Sequence, residues 1–181
     1  MPKKKQIPPI PPAGREPTPQ HLRSVWATDF IPDWARPATR QAIANAEKRL
    51  GVVIPKVLKA QLAVQNGGQV FLSEKEVPFE DTCRNWTNAI VDGVMPVEEW
   101  EIAAENHWFQ NASDVPQLKS LVVFAGHSEA QLCLDYRICG PKRVPAVLYV
   151  DVCMQPTSVA TVCPTVTAFL AALIASKKII A

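Results

Sequence analysis

The stretch GHSEAQLCLD places His127, Ser128, Cys133 and Asp135 close together in the chain. An imidazole beside a hydroxyl or thiol, with a carboxylate to orient it, is the constellation of nucleophilic catalysis. It works only when nucleophile and base are within hydrogen-bond reach. Here Gly126 to Glu129 reads as a hairpin turn, and Cys133 lies well along the strand that follows. The groups do not meet, and a histidine in a surface turn is the simpler account. His107 could bind a metal with Glu101 or Glu105, but no third ligand stands at a fitting spacing. The stretch Gln65-Asn66-Gly67-Gly68 could suggest a phosphate loop. Such a loop runs strand, glycines, helix, so that a helix N-terminus faces the anion. This one runs helix, glycines, strand, and the carbonyl end of a helix repels phosphate. A Gly-x-Ser-x-Gly elbow is absent as well. The residues therefore predict no catalytic site, no cofactor and no metal.

The chain has 181 residues and is 48% hydrophobic, enough for one domain with a core of its own. Its formal charge is +2, unevenly distributed. Lys3, Lys4, Lys5, Arg15 and Arg23 lie in the first 23 residues with Glu16 as the sole acid there. Taking those five from 19 basic groups and that one from 17 acids leaves 14 and 16, a slightly acidic body. A duplex binder would concentrate cations on a folded face, so nucleic acid is not the expected partner. The five cysteines (83, 133, 139, 153 and 163) form no CxxC pair. Reduced, mostly buried thiols and a cytoplasmic setting are expected. The start of the chain lacks the apolar region of a signal peptide. The longest apolar run, VTAFLAALIA, is too short to span a bilayer, so no membrane partner is expected.

Residues 1–22, rich in proline and basic groups, predict a disordered or extended arm, and 23–181 a single domain. PPIPP within the arm could serve as a polyproline ligand, although a linker is the simpler reading. Ile43, Ala46, Glu47 and Leu50 set a helical period that Gly51 ends. Pro55 then opens a second helix, with Val57, Leu58, Leu62 and Gln65 inward and Lys56, Lys59 and Gln61 outward. Asn66 and Gly67 are expected to cap it, and Gly68 to turn the chain into the strand QVFL. A strand at 89–94 and a helix at 96–106 follow. Strands are expected at 120–125, 130–136 and 145–152, then over SVATVCP. A closing helix over 165–176 has Thr165 as N-cap and Phe169, Leu170, Leu173 and Ile174 buried. Helices at both ends of an antiparallel-dominated sheet predict an α+β fold in two layers, with the helices on one face.

AEKRLGVVIPKVLKAQLAVQNGG resembles the opening signature of the SUKH superfamily, which includes bacterial immunity proteins and a fungal regulator of cell-wall synthesis. Glu47, Leu50, Gly51, Ile54, Pro55, Asn66, Gly67 and Gly68 match that signature. Where the family has Asp or Glu after the apolar-Pro step, this chain has Lys56 or Val57. The strands around Asp135 and Pro145 and the helix at Phe169 and Leu170 also resemble the family, so the likeness covers roughly 38–176.

The resemblance implies a non-enzymatic binding protein, an immunity protein that neutralises a cognate toxin domain such as a nuclease. The alternative is a scaffold recruiting partners through its fold and proline-rich arm. Strand alternation puts Leu132, Leu134 and Tyr136 on one face and Gln131, Cys133, Asp135 and Arg137 on the other. We expect Val147, Tyr149 and Asp151 to join the latter. That polar face, with Asp135, Arg137, Tyr149 and Asp151 and with Glu129 beside it, is the expected partner-binding surface. Any of Trp86, Trp100 or Trp108 exposed beside it would be an interface anchor. The acidic body suits a basic partner.

Overall fold

A computed structural model of the chain describes residues 17–25, 36–68, 93–127 and 130–180. Its centre is a five-stranded antiparallel sheet in the order β1-β2-β3-β4-β5. The strands are β1 (Glu101–Ile102), β2 (Leu121–His127), β3 (Ala130–Asp135), β4 (Ala146–Asp151) and β5 (Ser158–Cys163). Four helices are described: α1 (Pro19–Ser24), α2 (Arg40–Leu50), α3 (Lys56–Leu62) and α4 (Val166–Ile180). The α+β architecture is the one expected from the order of elements. The strands beyond residue 120, α2 and α4 fall where periodicity placed them.

Caps define the helices. The Thr39 hydroxyl accepts the Ala42 N–H at 3.0 Å, and Gly51 ends α2 in the left-handed region at φ 67°. Thr165 caps α4 through the Ala168 N–H at 3.1 Å. Phe169, Leu170, Leu173 and Ile174 are buried, as their stripe predicts. Pro55 is the N-cap of α3, one residue before the position expected for it. The Glu47 carboxylate accepts the Ile54 N–H at 2.8 Å and pairs with Lys59 at 2.7 Å. The glutamate of the signature thus closes the elbow between α2 and α3.

Several expectations change. Residues 17–25 belong to the fold and not to an extended arm: a Thr18–His21 capping box opens α1, which packs Leu22 and Val25 against α3 and α4. Residues 1–16 lie outside the described residues. The second helix stops at Leu62 with Ala63 as its cap, so Asn66 and Gly67 follow the helix end and do not cap it. Gln61, expected outward, is buried, and neither of its amide atoms has a hydrogen bond among the described residues. The helix expected at 96–106 is instead a 3-10 turn (Val97–Glu99), strand β1, and a second 3-10 turn (His107–Asn111). Pairing of Glu101 and Ile102 with Val123 and Val122 claims that backbone for the sheet, and tertiary pairing overrides a weak helical preference. Of the strand expected at 89–94, Val94 forms isolated bridges to Gly68 and Ala125. Residues 89–92 and QVFL lie outside the described residues.

The sheet is covered on both faces. Val122, Phe124, Leu132, Leu134, Val147, Tyr149 and Val162 pack under the helices. Leu121, Val123, Cys133, Leu148 and Val150 pack under a second layer that carries Ala103, Phe109, Ala112 and Val115. Asp114 fastens this layer to the β4–β5 loop, accepting the Thr157 N–H and hydroxyl, each at 2.6 Å. Those bonds hold the Asp114 carboxyl below its ordinary value. The expectation of an open far face is corrected. The continuous apolar run Leu121-Val122-Val123-Phe124-Ala125 carried the signal, since a half-exposed strand alternates and a doubly covered one does not.

Candidate functional site

The residues expected to form one polar face do not share one. Directly paired residues of an antiparallel ladder point to the same side. Leu134 pairs with Val147 and Leu132 with Tyr149, so Val147 and Tyr149 belong under the helices, where Tyr149 is 1% exposed. Asp135 pairs with Ala146 on the opposite face, while Asp151 pairs with Ala130 at the other end of β3. Asp135 and Asp151 are thus separated by both face and strand length, and both are buried. Asp151 accepts the Cys153 N–H at 2.8 Å. Asp135 accepts Arg137 Nε and Nη2, each at 2.9 Å, a bidentate pair that also raises the Arg137 pKa. Both acids are taken up by local bonds. Glu129 lies outside the described residues.

The catalytic groups weighed from the sequence are dispersed as well. Cys133 is buried in the far-face core, and burial pushes its thiol well above its ordinary value. Cys163 is also buried, Cys139 is half-buried and Cys153 exposed; Cys83 is outside the described residues. His127 ends β2 opposite Ala130, and Ser128 is outside the described residues. Glu101 and His107 lie on different elements, so the helical metal pair does not form.

What the fold does assemble is an acidic groove of about 610 Å³ at the β1 edge. Met95, Glu98, Glu99, Glu101, His107 and Trp108 line it, with Gly126 and Gln131 from the β2–β3 hairpin. Its rim is the 3-10 turn Val97–Glu99, pinned from several directions. Trp100 is fully buried beneath it, donates its indole N–H to the Met95 carbonyl at 2.9 Å, and meets Phe124 edge-on at 5.8 Å. The Arg49 guanidinium from α2 donates to the carbonyls of Val97, Glu98 and Trp100. Asn66 accepts the Val97 N–H at 2.9 Å and donates to the Glu98 carboxylate at 2.7 Å. The asparagine of Asn-Gly-Gly therefore acts as a strut for the acidic turn.

On the other wall, Asn106 donates to Glu101 at 3.0 Å and accepts the Trp108 N–H at 3.0 Å. The His107 ring lies 4.5 Å from that of Trp108. Trp100 is core, while Trp108 is half-buried at the groove. Three carboxylates beside an accessible indole favour cationic side chains, by charge and by the face of the ring. Sequence reading missed this site because Glu98, Glu99 and Glu101, adjacent in the chain, meet Gly126 and Gln131 only once β1 joins the sheet.

An antiparallel meander under four described helices, with a rigid acidic groove at its edge, defines a single-domain α+β protein. The family model of the SMI1 / KNR4 family (SUKH-1) matches residues 37–172, and the chain belongs to that family. Among curated proteins, none matches the chain.

Proposed function

We propose that this chain is a non-enzymatic protein-binding module, an immunity protein of the bacterial cytoplasm that neutralises a cognate toxin domain by direct contact. Family membership supports the class, and the acidic groove at Glu98, Glu99, Glu101 and Trp108 supports a basic partner such as a nuclease domain. A nuclease must hold phosphates, so it carries a cationic cleft. An acidic groove on a pinned turn would compete for that cleft and speed encounter through complementary potentials. Docking is assigned to this groove and not to Asp135, Tyr149 and Asp151, because those side chains are buried.

The test uses the toxin-like domain encoded beside this chain. Binding is measured by calorimetry and protection by growth on co-expression. The double variant Glu99→Lys/Glu101→Lys should weaken binding roughly tenfold or more, chiefly by slowing association. Deleting residues 1–16 should leave affinity unchanged. Affinity indifferent to the charge reversal would remove the groove from the interface. Loss of the partner on deleting 1–16 would favour a scaffold that recruits through its PPIPP arm.

A further inference from the structure

The opposite end of β3 from the acidic groove carries a pocket of opposite sign. There the α2–α3 linker, the start of α3 and the β3–β4 loop enclose about 370 Å³. Lys56, Lys59, Lys142 and Arg143 line it, and no carboxylate among the described residues does. Lys59 is paired with Glu47, while Lys56, Lys142 and Arg143 are exposed. Between these cations stand two outward-facing apolar side chains, Val53 at 43% exposure and Val144 at 50%. Ile54 and Val57, both buried, form the floor.

The walls are held by the backbone. The Val53 N–H donates to the Pro141 carbonyl at 2.7 Å, and the Tyr136 hydroxyl donates to the Val53 carbonyl at 3.1 Å. Both main-chain groups of Val53 are thereby committed, and its side chain is left at the surface. Two β-branched residues exposed in one pinned pocket, ringed by cations, are a built feature of the fold. Scattered exposed valines would need no explanation, but valines gathered with a single sign of charge do.

We propose that this pocket is a second docking site, for an acidic segment of a partner protein that seats an apolar side chain between Val53 and Val144. Charge complementarity selects the occupant. The chain's own first 16 residues carry Lys3, Lys4, Lys5 and Arg15 and would be repelled. A nucleic acid would satisfy the cations but would leave both valines without a partner, whereas an acidic peptide with one large apolar residue satisfies both. The site is separate from the acidic groove and does not depend on the proposed function.

The experiment pans a phage-displayed random peptide library on the full chain. The enriched peptides are then measured by fluorescence anisotropy. Enrichment of Asp or Glu flanking a large apolar residue supports the proposal. So does affinity that falls roughly tenfold or more in Lys56→Glu/Arg143→Glu and in Val144→Asp, yet is unchanged in Glu99→Lys/Glu101→Lys. All these positions are exposed, and far-UV circular dichroism verifies that each variant folds. Amide shifts of the wild-type chain at Val53, Lys56 and Val144 on peptide addition locate the contact without any substitution. Absence of acidic enrichment, or affinity indifferent to both pocket variants, overturns the proposal. It is equally overturned if a short DNA duplex displaces the peptides and still binds Val144→Asp. Self-association abolished by either charge-reversal pair would identify a second copy as the occupant and overturn it as well.

Discussion

Asn66 shows how much one side chain can set. Its amide both receives a buried backbone N–H from Val97 and donates to Glu98, so a loop after α3 fixes the acidic turn 31 residues further along the chain. Asn66→Ala should cost about 2 kcal/mol in urea unfolding, because it leaves the Val97 donor buried without a partner. Asn66→Asp keeps that acceptor but sets two carboxylates together. It should recover stability as the pH is lowered, where the alanine variant does not. Cys133 makes a different prediction. Burial raises its pKa from the ordinary 9.0, so the folded chain keeps a proton that the unfolded chain releases above that pH. The contribution of this thiol should therefore be constant below about pH 8 and fall above about pH 9, by up to about 1.4 kcal/mol per pH unit. Cys163 and Tyr136 shift in the same direction. Cys133→Ala should thus flatten the slope, measured by urea titrations across that range, without abolishing it.

At the scale of elements, the β2–β3 hairpin decides whether the acidic groove has a floor. Gly126 sits at φ 131°, where a Cβ would collide with the Ala130 carbonyl oxygen and lie 2.8 Å from the Gln131 Cα. Gly126→Val should cost about 2 kcal/mol or more and disturb the groove, read as a lowered melting temperature with altered amide shifts at Glu101 and Gln131. Helices α2 and α4 were legible because each announces itself locally. Thr165 is a cap, Gly51 is a stop, and the apolar spacing in α4 names its own buried face. The segment from 96 to 111 was not legible. Its backbone is shared among two 3-10 turns and a two-residue strand, and the first turn and the strand depend on partners far away in sequence: Asn66 and Arg49 for the turn, Val122 for the strand.

For the whole molecule, the question is where the folded unit begins. Leu22 is almost wholly buried between α1, α3 and α4, next to Val25. Leu22→Ala should cost about 2–5 kcal/mol, while removal of residues 1–16 should leave the unfolding midpoint where it was. That contrast would put the domain boundary before residue 17 and not at 23. Its reason was visible in Thr18, Pro19 and His21, a capping box masked by the prolines around it. Charge is also a property of the whole. A formal +2 hides an acidic groove at one end of β3 and a basic pocket at the other. Net charge sums over residues and carries no information about where they lie.

The amino-acid sequence alone determined the α+β class, the Gly51 stop, the Thr165 cap, the strands beyond residue 120 and the SUKH signature, because each rests on near neighbours or on one short pattern. It also determined correctly which side chains alternate within β3 and within β4. Only the tertiary structure decided how the strands match. The register of β3 against β4 crosses a ten-residue loop, and it carried Val147 and Tyr149 under the helices and away from Asp135. A shift of one residue exchanges the two faces of a strand, and no local preference sets that shift. The groove and the basic pocket rest on other long-range contacts, β1 on β2 and Val53 on Pro141 and Tyr136, which no local pattern shows.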